Sequence, residues 1–144
     1  MTALAMHEAG HAVIAWRNGI EIASVSIVSH ETEGGRTLCY FEQAPPEAAV
    51  KAIFAGFLVE LRLVERDGPE RGCNVHGSDT DFELARGIAT QAWGADADRR
   101  LGELMTEALL EVDREWSRIE RLAQALVESP YLNELELARI LSPA

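Results

Sequence analysis

The segment AMHEAGHAVIAW, residues 5–16, constrains this chain more than any other. Ala5, Ala9, Ala12, Val13, Ile14 and Trp16 are too apolar for a freely exposed helix, yet His7, Glu8, Gly10 and His11 interrupt them. Thr2 stands where an N-cap is wanted and Asn18-Gly19 is a stop signal, so the spacing predicts a helix from about Ala3 to Arg17. Residues four apart share a helix face, which places the rings of His7 and His11 one turn apart on one side. Polar groups bordering a buried environment are costly without partners, so these side chains must have some. Gly10 lowers helix propensity by about 1 kcal/mol relative to alanine, a cost that predicts close approach of another part of the chain to its backbone.

His7-Glu8-Ala9-Gly10-His11 is an H-E-x-x-H motif. Two neutral imidazoles suit Zn²⁺ at about 2.0–2.1 Å, and a catalytic site adds one more protein ligand and a water. In that arrangement Zn²⁺ lowers the water pKa toward roughly 7, and Glu8 serves as general base before returning the proton to a leaving amine. Peptide-bond hydrolysis is the reaction expected. A further histidine in the longer pattern H-E-x-x-H-x-x-G-x-x-H is excluded, because Ile14 holds the glycine position and Arg17 the last one. The third ligand must come from farther along, and the residues leave Glu60, His76, Asp79 and Asp81 as candidates.

At 144 residues and 47% hydrophobic content the chain is expected to form one globular domain over 1–144, with a zinc-site core at about 1–94 and a C-terminal helical segment at about 95–144. The net charge of -11 and the lack of a concentrated basic face argue against nucleic acid as a partner. Cys39 and Cys73 are too few for a disulfide framework, so a reducing, cytoplasmic location is expected. No apolar run reaches the roughly 18 residues of a spanning helix and no basic leader precedes one, which predicts no membrane insertion by this chain.

The alternation of Ile20 to Val28 predicts a strand, and ETEGG at 31–35 a turn into a second strand, RTLCYF, forming a hairpin. After APPE, the spacing of Val50, Ile53, Phe54, Phe57, Leu58 and Leu61 marks a core helix with Pro46 near its first turn. Glu65 to Gly77 has turn chemistry and reads as a long loop. Ser78 is placed to open a third helix ending near Gly94, and Asp96 to Leu141 is helical in pattern apart from a break at Ser129 to Tyr131. The fold class expected is mainly α with a small antiparallel β-sheet, an α+β domain. Trp93 and Trp116 read as core residues. Cys73-x-x-His76 has no partner motif for a second zinc site and reads as loop chemistry, and His30 carries no further signal.

HEAGHAVIAW, GGRTLCYF, IFAGFLVELRL and GSDTDFELARGIATQAWG occur in the order seen in the peptidase domain of FtsH-type AAA+ zinc metalloproteases, and the chain resembles that family over most of its length. The resemblance implies a zinc metallopeptidase fold acting on polypeptides. It also implies that an aspartate in a pattern like S-N-D-L-x-x-A-x-x-I-A completes the zinc site. Asp81 precedes Ala85, Ile88 and Ala89 at matching intervals and is preferred to Asp79. A competing role for Asp81 is helix capping, since Ser78-x-x-Asp81 resembles a capping box. Glu60 aligns with a glutamate of the family's G-G-R-A-A-E-E-like helix, but A-G-F-L-V-E-L lacks its arginine, leaving Glu60 either as support for a histidine or as a surface acid. The family's strand matching GGRTLCYF borders the active site, where a substrate strand can add to its edge.

Family members carry an ATPase and usually membrane helices, and this sequence contains no P-loop. It is therefore read as either an excised piece or a stand-alone peptidase that takes unfolded or short polypeptides. The C-terminal helices resemble the family's closing segment, but hexameric assembly is not asserted and the oligomeric state stays open. The alternatives are a catalytically silent zinc-binding domain that holds a partner peptide, and a helical interaction module without metal. Glu8 argues against the first, because a structural zinc site has no use for a general base.

Overall fold

The computed structural model describes residues 2–27, 35–68 and 75–142, with 75–79 described only as part of a helix. Among the described residues, six α-helices and three strands follow in the order α1 (Ala3–Arg17), β1 (Ile22–Ser26), β2 (Arg36–Cys39), α2 (Pro46–Asp67), α3 (Val75–Trp93), α4 (Ala97–Arg114), α5 (Trp116–Glu128), β3 (Tyr131–Asn133) and α6 (Glu134–Leu141). The class is mainly α with a small antiparallel sheet, as the sequence predicts.

Helix α1 is central. Thr2 caps it by accepting the Ala5 N–H at 3.1 Å, and the chain leaves it through Gly19 at φ +79, a left-handed conformation that favours glycine. Ala5 to Gly10 and Ala12 to Ala15 are all buried, so the helix has no free face. α2 and α5 pack on it from two sides and β1 and β2 from another. This envelopment brings His7 and Glu8 inside the protein.

The close approach expected at Gly10 comes from α2. A Cβ at Gly10 would stand 2.6 Å from Val59 Cγ2 and 3.1 Å from the Ala55 carbonyl oxygen, so only glycine lets the two helices meet at this spacing. α2 starts with Pro46 in its first turn, where a missing N–H costs nothing. It ends at Asp67, followed by Gly68 at φ +99. Phe82 of α3 packs against Phe54 and Phe57 of α2 with ring centroids 5.6 and 5.1 Å apart, and the fully buried Ala85 and Ala89 form the inner face of α3.

The strands run β2-β1-β3, all neighbours antiparallel. Val25 lies opposite Thr37 on one side and Leu132 on the other. Strand β3 begins within the break expected at Ser129 to Tyr131 and carries extended chain past it to Asn133. Its three residues are too short to show an alternating pattern, and they are extended because they add to the open edge of β1, a contact between segments more than a hundred residues apart. Asn133 then caps α6 by accepting the Glu136 N–H at 2.9 Å.

Two further boundaries differ from expectation. The predicted loop from Glu65 to Gly77 is shortened from both ends, since α2 runs to Asp67 and α3 begins at Val75. Ser78 is therefore inside α3 and does not cap it, which removes the capping-box reading of Asp81. A cap stabilises a helix by only about 1 kcal/mol, so an additional turn can outweigh it. Trp116 is buried and Trp93 half-buried against the core, with Arg66 and Arg100 over their rings. His30 and Cys73 lie outside the described residues, and the His76 side chain is likewise undescribed. Among the described residues no helix is long and apolar enough to cross a membrane.

Candidate metal centre

A cavity of about 520 Å³ opens between α1, α2, β2 and α3, with His7, Glu8 and His11 on its floor, Thr37 and Cys39 on one wall and Asp81 and Leu84 on the other. The helix pitch sorts the functional groups. His7 and His11, one turn apart, turn toward α2. Glu8, about 100° farther around the helix, turns toward β2.

Each imidazole is fixed from behind. His7 Nδ1 donates to Glu60 Oε2 at 3.0 Å, and His11 Nδ1 donates to the Ala52 carbonyl oxygen at 2.8 Å. In a regular helix the Ala52 carbonyl also serves the N–H four residues on, and its two lone pairs allow both bonds. With a proton committed at Nδ1, a neutral ring presents an unprotonated nitrogen at Nε2. These two Nε2 atoms lie 3.0 Å apart. Asp81 Oδ2 lies 3.2 Å from His11 Nε2 and 3.6 Å from His7 Nε2. With the rings neutral, three lone-pair donors converge at one point, and Asp81 Oδ2 is buried there without a hydrogen-bond partner.

Such a cluster repels itself unless a cation or proton sits between its members. Burial alone would lower the pKa of His7, but Asp81, Glu60 and Glu8 outweigh it and push the ring up to about 10. Burial alone would raise Asp81, but His11 and His7 outweigh it and hold the carboxyl down to about 2. Both shifts have one cause, the close approach of the two imidazoles to the carboxylate. A zinc ion at its usual distances in a tetrahedral site separates its ligand atoms by about 3.3–3.4 Å, and the observed 3.0, 3.2 and 3.6 Å straddle that span. The residues present therefore fit a divalent ion of the zinc type.

The site brings together His7, His11 and Asp81, the ligand set that the family resemblance implies. Glu8 is 6% exposed and its carboxylate accepts from Thr37 Oγ1 at 2.7 Å. The ligand-capable atoms of His7, Glu8 and His11 all lie within 4.8 Å of one another. Glu60, open to two roles in the sequence, is 6% exposed and supports His7 rather than facing solvent. Asp79 falls among the residues whose side chains are not described. Cys39 is a free thiol, and burial, followed by the charge of Glu8, pushes it up to about 12, so it stays protonated.

Sequence reasoning missed Gly56, and it set the strand of Gly35 and Thr37 beside the site without singling out either residue. A Cβ at Gly56 would lie 2.5 Å from His11 Nε2 and 2.6 Å from His7 Nε2, so the rings rest directly on the α2 backbone. Its signal was the same as that of Gly10, a glycine inside a helical pattern. Thr37 has no such signal, because a threonine in a strand is ordinary. Compared with known proteins, the chain matches no family model and no curated relative, so the site stands on its own geometry.

Proposed function

We propose that this chain is a zinc-dependent endopeptidase, similar to the peptidase domain of FtsH-type proteases, that hydrolyses unfolded or short polypeptides. The observation that carries the reading is the convergence of His7 Nε2, His11 Nε2 and Asp81 Oδ2 on one point, beside a buried carboxylate in an open cavity. The order of the motifs along the chain supports the same family.

Zinc held by His7, His11 and Asp81 would polarise a carbonyl and lower the pKa of a water toward about 7. The protein supplies the rest. Glu60 and the Ala52 carbonyl keep both Nε2 lone pairs aimed at the meeting point. Phe82, wedged against Phe54 and Phe57, holds the turn of α3 that carries Asp81. Glu8 accepts a proton from the attacking water and returns it to the nitrogen of the cleaved bond. A cytoplasmic setting accords with the free thiol of Cys39.

The test is elemental analysis of the purified chain together with cleavage of an unfolded test protein. About one zinc per chain is expected. Cleavage should stop on chelation and return with added zinc. A protein that holds no zinc overturns the reading, and one that holds zinc but never cleaves favours a silent domain that binds a partner peptide. Glu60→Ala should weaken zinc by about 10–100-fold in a chelator competition, because His7 loses the acceptor that sets its tautomer. Unchanged affinity would remove Glu60 from the site.

A further inference from the structure

Alternation along β2 turns Thr37 and Cys39 inward, while Arg36 and Leu38 face out. Opposite Thr37 is the fully buried Val25. Shape at such a position is met equally by valine. Threonine adds a hydroxyl that must find an acceptor once it leaves water. It finds Glu8: Thr37 Oγ1 donates to Oε1 at 2.7 Å and lies 3.3 Å from the Glu8 carbonyl oxygen. One hydroxyl carries one proton, and the shorter, charge-assisted bond takes it.

Gly35 brings the strand to this distance. A Cβ there would stand 2.5 Å from Glu8 Cγ, 3.0 Å from Glu8 Cδ and 2.9 Å from the Ser26 carbonyl oxygen. The Glu8 side chain is therefore gripped between its own helix and a strand that is bare at the point of contact.

We propose that Thr37 is the positioning residue of the Glu8 base: its hydroxyl occupies Oε1, so that Oε2 takes the proton of the attacking water. The assignment rests on the peptidase reading above. As the water oxygen bonds to the carbonyl carbon, its O–H bond breaks and the proton moves to Oε2. When the C–N bond breaks, that proton passes to the departing nitrogen. The Thr37 hydroxyl keeps its own proton throughout and limits rotation of the carboxylate between the two transfers.

The zinc-loaded chain carrying Thr37→Val, which keeps the branching, and Thr37→Ser, which keeps the hydroxyl, provides the test. Thr37→Val should lower kcat by about 10–100-fold with KM within about twofold of wild type, the loss expected of one hydrogen bond to a charged group. Thr37→Ser should restore most of the rate. The carboxyl-carbon NMR signal of Glu8, assigned by its loss in Glu8→Gln, should move in the valine variant and return in the serine variant, whether or not the protein cleaves. Equal losses in both variants would mean that packing, and not the hydroxyl, matters, and would overturn the proposal. A wild-type rate and an unmoved signal in Thr37→Val would do the same. If wild-type protein shows no Glu8-dependent cleavage, the peptidase reading fails, and the NMR signal alone decides whether Thr37 holds Glu8.

Discussion

Glu8→Gln is expected to keep its zinc and to cleave an unfolded polypeptide about 10²–10⁴-fold more slowly than wild type. The substitution changes little in shape, and a glutamine oxygen can still accept from Thr37 Oγ1, which reaches the carboxylate at 2.7 Å. The side chain thus stays in its buried place between α1 and β2. An amide takes up no proton near neutral pH, so only proton transfer is lost. The measurement is kcat on a labelled unfolded protein beside zinc content by elemental analysis. Cleavage at the wild-type rate would deny Glu8 the role of base. Loss of zinc would point instead to Glu8 as a ligand, a role its position within 4.8 Å of the two histidine nitrogens allows.

Gly56→Ala is expected to abolish metal binding while leaving a folded chain. The new methyl would lie 2.5 Å from His11 Nε2, 2.6 Å from His7 Nε2 and 2.7 Å from His7 Cε1, at the atoms that must meet the ion. Neither ring has room to retreat without losing its bond to Ala52 or Glu60, and α1 is packed on every side. Apparent zinc affinity should therefore fall by more than about 100-fold, beyond the usual cost of removing a supporting partner. Stability moves less. Overpacking costs about 1–3 kcal/mol, and the gain in helix propensity returns about 1 kcal/mol. Gly102→Ala is the matched control, because a Cβ there meets nothing within 4 Å and the same chemical change should leave zinc untouched. Chelator competition and calorimetry on the two variants decide the matter, and wild-type zinc affinity in Gly56→Ala would exclude the meeting point as the metal site.

These expectations draw unequally on sequence and structure. The pairing of His7 with His11 was legible because it depends on helix pitch alone, and Gly10 announced a close neighbour without naming it. The partner proved to be α2, at Ala55 and Val59. Asp81 came from a resemblance of pattern, and its competing role as part of a cap disappeared only when α3 was seen to begin at Val75. Glu60 was ambiguous until it was found behind His7. Thr37 carried no signal, since its meaning lies in what faces it across 29 positions of chain.

Local interactions within a few turns of chain suffice to determine a buried helix with two imidazoles on one face, the hairpin that follows, and most of the remaining helices. Whether those imidazoles meet a carboxylate, which acid stands behind them, and which strand holds Glu8 are relations between segments distant in sequence. They are decided when α1 is enclosed by α2, α5 and the sheet, because the cost of burying unpaired polar groups is resolved only by the neighbours that enclosure brings.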